Sequence, residues 1–169
     1  MHPEAMAWVA KHAIPDARRV LDIGGRNING TPRDLFPGAE LYVTLDILPG
    51  ADITADASTW IPDRFYDVVV CCEVFEHTDT WPQICGTAFK ALAPGGLLIA
   101  TMAGPGRPVH SGVDGGWQLH PGEHYGNVHP RDLAEALQAA GFVDVVTDRQ
   151  SQPADTRCTA RTPVPNEGG

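Results

Sequence analysis

The stretch VLDIGGRNING, residues 20–30, limits this chain more than any other. Its first four residues suit a strand buried on both faces, with one acid, Asp22, inside an apolar run. The strand then opens into three glycines, an arginine and two asparagines, more than a simple turn needs. A loop of that composition holds its backbone close to something.

Hydropathy elsewhere alternates between helical and strand periods. Residues 4–13 have helical spacing, with Met6, Val9, Ala10 and Ala13 on one face, and Pro15 and Asp16 stop the helix. Strands are expected at 19–23, 40–46, 51–57 and 96–102, and most strongly at 65–72, which contains YDVVVCC. Thr31 caps a short helix with Pro32 at its first position. A second helix, 81–92, ends at Ala93-Pro94-Gly95-Gly96, where proline cannot continue it and glycine can take positive φ. Residues 131–140 form another helix, stopped by Gly141. The expected strands 143–148 and 157–162 are too close in sequence for a crossover helix, so they pair antiparallel.

Strands that alternate with helices imply one α/β domain, residues 1–169. Its sheet is doubly wound, mostly parallel and seven-stranded, with a C-terminal antiparallel hairpin and helices on both faces. Residues 1–15 carry the N-terminal helix, and the tail 163–169 is expected to fray. Residues 103–129 stand apart, with no periodicity, many glycines, and His110, His120, His124 and His129. A loop this long inside a compact domain usually has a function.

Composition excludes several classes. The formal charge of −9, with Lys11 and Lys90 as the only lysines, argues against a nucleic-acid binder, whose phosphate contacts need clustered cations. No apolar run has the roughly 18 residues a membrane helix requires, and the N-terminus reads as no signal peptide. Cys71, Cys72, Cys85 and Cys158 include an adjacent pair and no C-x-x-C, so reduced thiols in a cytoplasmic protein are expected.

In doubly wound sheets, ligands bind beyond the carboxyl ends of the strands, near the switch in strand order. Acids fall at those ends: Asp22, then Asp46 at 24 positions further (46 − 22), then Asp56 and Glu73. Carboxylates accept hydrogen bonds from a ribose diol, an exocyclic amine or an ammonium group, and they repel phosphate. The loop is neither G-x-G-x-x-G nor a phosphate-binding loop ending in Gly-Lys-Ser/Thr.

In order, VLDIGG, LYVTLDI, ITADAS, YDVVVCCEVFEH and LAPGGLLIATM resemble the successive motifs of class I S-adenosylmethionine-dependent methyltransferases, from about residue 20 to 162. The most specific parts are Glu73-Val74-Phe75-Glu76-His77 and Leu92-Ala93-Pro94-Gly95-Gly96. The resemblance implies a Rossmann-like fold and methyl transfer, with S-adenosylhomocysteine as product. It places Asp22, Gly24, Gly25, Arg26, Asn29 and Gly30 around the methionine part of the cofactor. Asp46 would hold the ribose hydroxyls with Ile47 against the adenine, and Asp56 would accept from the adenine amine beside Ala57. Glu73 and Val74 would line the opening under the adenosine and the sulfonium. The family's loop has glycine at the positions of Arg26 and Ile28, so Asn27 or Asn29 takes over a turn here.

Each site residue has a plainer role to weigh: a turn for Gly24 and Gly25, caps for Asp46, Asp56 and His77, and solvated charges for Glu73 and Glu76. His120, His124 and His129 invite a metal reading, but Pro121 and Gly122 break the helix that would align the first two, so no metal site is expected. Instead 103–129 reads as an acceptor lid with Trp117 and Tyr125 as walls, and His77, Glu123 and His124 as candidates for catalysis. The acceptor is expected to be a small molecule methylated on oxygen or nitrogen, with a homodimer left open. The rival readings are an inactive S-adenosylmethionine-binding subunit and a nucleotide-dependent oxidoreductase.

Overall fold

The computed structural model describes residues 1–27 and 30–165. Asn29 and the last residues of the expected tail, 166–169, lie outside the described residues. The elements run α1 (Pro3–His12), β1 (Arg19–Ile23), a 3₁₀ turn (Pro32–Leu35), β2 (Leu41–Asp46), β3 (Ile53–Thr54) and β4 (Tyr66–Cys72). A second 3₁₀ turn (Phe75–His77) follows, then α2 (Trp81–Ala91), β5 (Leu92–Ala103), α3 (Pro130–Ala140), β6 (Val143–Ser151) and β7 (Ala154–Arg161). They build one seven-stranded sheet in the order β3-β2-β1-β4-β5-β7-β6. β3, β2, β1, β4 and β5 pair in parallel, and β7 runs antiparallel to both neighbours, β5 and β6. This is the Rossmann-like α/β sheet with a C-terminal hairpin, and residues 157–161 lie inside it.

Strand alternation divides the core into two layers. Leu21, Ile23, Val69, Cys71, Leu98 and Ala100 face α2 and α3, where Leu133 and Leu137, one turn apart, are fully buried. Val20, Tyr42, Val68, Val70 and Ile99 face α1. Helices therefore cover both faces, but among the described residues the three connections between β1 and β4 contain no α-helix, only the 3₁₀ turn Pro32–Leu35. Pro37 and Gly38 explain its brevity: the Gly38 N–H bonds the Pro15 carbonyl at 2.9 Å, and a Cβ there would meet that oxygen at 2.7 Å.

Local chemistry sets most boundaries. Thr31 Oγ1 accepts from the Arg33 N–H, as a capping threonine should. The His129 side chain accepts from the Arg131 N–H at 3.2 Å and so caps α3. At the other end of α3 Gly141 has φ +108°, and a Cβ there would strike Phe89 at 2.8 Å.

Two expectations need correction. The buried face of α1 is Ala5, Trp8 and Val9 rather than Met6, Val9, Ala10 and Ala13. Trp8 sets that rotation, because its indole N–H donates to the Cys158 carbonyl at 3.3 Å and the Arg157 guanidinium lies over its ring. The third strand shrinks to two residues. The Asp52 carboxylate takes the Thr44 N–H and hydroxyl at 2.9 and 2.8 Å, and Asp56 turns the chain away after residue 55.

Candidate functional site

The strand order reverses between β1 and β4, and a cleft of about 730 Å³ opens there beyond the carboxyl ends. The volume falls within the range of about 300–1,000 Å³ usual for ligand pockets. β1 brings Ile23 and Gly24 to it, and β2 brings Leu45, Asp46 and Ile47. The segment after β3 adds Asp56 and Ala57, and the end of β4 adds Glu73, Val74 and His77. Arg26 and Gly30 close one wall, and Arg107, His110–Val113 and Glu123 from the long loop close the other.

Gly24 has φ +75°, donates its N–H to the Leu45 carbonyl at 2.7 Å, and would place a Cβ only 2.2 Å from Val74 Cγ2. Glycine is required here twice over, by conformation and by the close approach of the loop to β4. Arg26 lines the cleft with its Nε buried and without a hydrogen-bond partner among the described residues. Asp46 accepts from the Leu48 N–H through Oδ1 at 2.9 Å, and Asp56 accepts from the Ser58 N–H through Oδ1 at 2.8 Å. Each acid thus spends one oxygen on its own turn, and the capping role weighed from sequence coexists with a place in the cleft. Ile47 is 65% exposed, a flat apolar surface at the rim.

Glu73 carries φ +58°, a backbone that costs a non-glycine residue about 1–2 kcal/mol. Thr101 holds it there, accepting its N–H at 2.8 Å and donating a hydroxyl to Oε1 at 3.0 Å. His2 Nε2 stands 3.3 Å from Glu73 and from Asp155, and Arg107 pairs with both acids. Burial works to raise the Glu73 carboxyl, but the His2 bond and the neighbouring cations hold it below its usual range. Asp155, fully buried, is pushed up to about 6, first by burial and then by Glu73. His77 is pushed down to about 4 by burial and by His110, so it is neutral at pH 7.

Not every expected residue reaches the cleft. Asp22 and Gly25 lie beneath it. Alternation along β1 turns Asp22 away from Ile23, toward α1, where its carboxylate accepts the Tyr42 hydroxyl at 2.8 Å. A Cβ on Gly25 would meet the Asp22 carbonyl at 2.7 Å, so Gly25 is there to let the loop pack on that acid. Burial pushes Asp22 up to about 7. An acid raised in the folded state destabilises above its unfolded pKa, an effect absent below about 4 and full above about 7. Asp22→Asn is expected to gain stability relative to the unmodified protein as pH rises from 4 to 7, by up to about 4 kcal/mol. Urea melts across that range check it, and a pH-independent difference would refute it.

Glu123 lines the cleft but is engaged within the loop. One carboxylate oxygen accepts from the Ser111 hydroxyl and the Gly112 and Val113 N–H groups at 2.9–3.2 Å, and the other accepts from the His120 N–H. His124 is exposed and outside the lining. His120 pairs with Asp114 at 2.9 Å and His129 caps α3, so the expected loop histidines do not converge.

Sequence reasoning passed over His2 and Arg107 and gave the loop residue His110 no role of its own. Arg107 left a signal, since it is the one arginine of the loop, just after Gly104-Pro105-Gly106. His2 left none; it lies 105 positions from Arg107 in the chain.

A family model described as methyltransferase domain matches residues 1–147. The chain belongs to that methyltransferase-domain family. It shares the class I fold with solved S-adenosylmethionine-dependent enzymes. Haemonchus contortus phosphoethanolamine N-methyltransferase 2, in complex with S-adenosyl-L-methionine, is 15% identical with TM-score 0.72, over 95% of this chain and 52% of that one. Burkholderia thailandensis 1,6-didemethyltoxoflavin-N1-methyltransferase, with its substrate and S-adenosylhomocysteine bound, is 18% identical with TM-score 0.68, over 95% and 77%. A methyltransferase of Archaeoglobus fulgidus is 18% identical with TM-score 0.69, over 94% and 93%. This methyltransferase domain thus spans about half the length of the Haemonchus contortus enzyme. No curated protein matches it. Among the described residues no helix is long and apolar enough to cross a membrane.

Proposed function

We propose that this domain uses S-adenosylmethionine in the cleft at the β1/β4 switch to methylate a small molecule on oxygen or nitrogen. The observation that carries the reading is the row of acids Asp46, Asp56 and Glu73 around the Gly24 cradle, where only hydrogen atoms fit. Asp46 and Asp56 each have one oxygen uncommitted by a hydrogen bond to their own turns, suited to a ribose diol and an adenine amine. Ile47 and Ala57, which line the same cleft, would flank the base. Gly24 and Gly30 let the backbone approach the methionine part, and Arg26, whose buried Nε has no partner among the described residues, is positioned for its carboxylate. Val74 and Glu73 line the cleft, and Glu73, held below its usual carboxyl range, would face the sulfonium.

When bound, the cofactor supplies an electron-poor methyl group. An acceptor lone pair would take that methyl group, and the carbon–sulfur bonding pair would leave with sulfur. The chain's part is alignment, exclusion of water and, for a protonated nucleophile, removal of a proton. His77, neutral at pH 7 and beside His110 and Tyr125, would accept it in the absence of a metal ion. His124 has no part in this reading.

The loop 103–129 forms the acceptor wall, and its cover over the cleft favours a small acceptor. Glu123 organises that wall by holding Ser111, Gly112 and Val113. Glu123→Ala is expected to lower turnover by about 10- to 100-fold, the loss a displaced wall brings, while cofactor affinity stays nearly unchanged. Steady-state kinetics and calorimetry check this; equal loss of both, or of neither, would refute it. The buried, unbridged thiols Cys71, Cys72, Cys85 and Cys158 suit a reducing cytoplasm. The function itself is tested by screening a metabolite library for acceptor-dependent formation of S-adenosylhomocysteine. Formation with at least one small molecule supports it, and none across hydroxyl and amine classes counts against it.

A further inference from the structure

At the acceptor wall three side chains converge whose meeting methyl transfer alone does not require. Glu76, His77 and His110 each place a donor atom within 4.8 Å of the others. Glu76 is 0% exposed. Its Oε1 accepts from the Ala103 N–H at 3.0 Å, while Oε2 is buried with no hydrogen-bond partner among the described residues. His77 Nδ1 is buried and unpartnered in the same way. An unsatisfied buried polar atom costs about 1–3 kcal/mol, and more for a charged group, so two within one cluster call for a missing partner. The nearby cation, Arg107, is committed to Glu73 and Asp155.

The surroundings fit a cation rather than a further hydrogen bond within the protein. His110 Nδ1 lies 3.2 Å from the Pro108 carbonyl, and donation there leaves the Nε2 lone pair open, as outer partners of metal-bound histidines do. The backbone fixes the other two ligands, because the Phe75–His77 turn and the bond from the Gly126 N–H to the Glu76 carbonyl at 2.8 Å hold residues 76 and 77. His77 and His110 both line the cleft, so an ion between them is open to it on one side.

We propose that Glu76, His77 and His110 bind a divalent first-row transition ion at the acceptor side of the cleft. One carboxylate with two imidazoles suits Mn²⁺, Co²⁺ or Zn²⁺ and disfavours Mg²⁺ and Ca²⁺, which prefer all-oxygen sites. Three protein ligands leave a position for a ligand from the cleft. The acceptor class is then a small molecule with a hydroxyl group. Its oxygen binds the ion, becomes more acidic and releases its proton to water, and His77 serves as ligand instead of base. That last role rests on the methyl-transfer reading; ion binding does not.

The test uses tag-free protein stripped with a chelator, titrated at pH 7 with Co²⁺ and followed by visible absorption, with Mg²⁺ as the comparison. The expected result is one Co²⁺ per chain, undisturbed by excess Mg²⁺. Glu76→Gln and His110→Ala are each expected to weaken it at least tenfold, of the order seen when a metal ligand's support is removed. Circular dichroism establishes that each variant is folded, and if Glu76→Gln is not, His110→Ala decides. No Co²⁺ binding by the unmodified protein, or undiminished binding by folded His110→Ala, overturns the proposal. S-adenosylhomocysteine binding is measured separately on the unmodified protein. Its absence would overturn the methyl-transfer reading and leave the ion result standing.

Discussion

Gly24→Ala is expected to lower stability by about 2–5 kcal/mol and to damage cofactor binding with it. Two effects add. An alanine at φ +75° pays about 1–2 kcal/mol for the left-handed backbone. Its methyl would also sit 2.2 Å from Val74 Cγ2, and forcing an extra carbon into a packed site costs about 1–3 kcal/mol. Val74 lines the cleft, so relief of the overlap pushes it into ligand space. The double variant Gly24→Ala/Val74→Ala removes the overlap and keeps the backbone effect, so it should recover the packing part alone. Urea denaturation of the single and double variants measures both parts. A single variant within about 0.5 kcal/mol of the unmodified protein would show that the loop lies elsewhere.

The second large effect is on affinity. Asp46→Ala is expected to weaken S-adenosylhomocysteine binding by about two to four orders of magnitude. The estimate is two bonds to a charged acceptor at about 1.5–3 kcal/mol each, tenfold for every 1.4 kcal/mol. Asp46→Asn separates this from a folding defect. An asparagine oxygen can still accept from the Leu48 N–H, so the turn survives, but the charge facing the cleft is gone. Asparagine is therefore expected to bind poorly and melt normally. Calorimetry and thermal melts on both variants check this, and near-normal affinity in either would remove Asp46 from the ribose position.

The elements legible in sequence were those with strong local causes. Residues 19–23 are β1 to the residue, because an apolar run flanked by polar Arg18 and a glycine loop has few alternatives. The stop at Gly141 follows from positive φ, whereas α2 ends at Ala91, one residue before the expected 92, and 93–96 belong to β5 instead of a turn. The antiparallel hairpin followed from the short link between β6 and β7. Long-range contacts were not legible. The rotation of α1 depends on Trp8 meeting Cys158, 150 positions away, and helical spacing fits two faces of that helix equally well. Asp22 and Asp46 look alike in sequence, each an acid at a strand end, yet Asp22 pairs level with Thr44, two residues short of Asp46, so one lies beneath the cleft and the other reaches it. Glu123 read as a candidate for catalysis because its partners are mostly backbone N–H groups, which composition does not display. The Glu76–His77–His110 cluster joins a 3₁₀ turn to a loop with no periodicity, and only the fold brings them together.

The central claim is that the β1/β4 cleft takes S-adenosylmethionine rather than a dinucleotide. Calorimetric titration of the unmodified protein with S-adenosylmethionine, S-adenosylhomocysteine and NADH tests it most directly. The account predicts saturable binding of the first two, one per chain, with NADH far weaker, because Asp46, Asp56 and Glu73 favour hydroxyls, an amine and a sulfonium and repel phosphate. NADH binding more tightly, or no binding of either S-adenosyl compound, would contradict it.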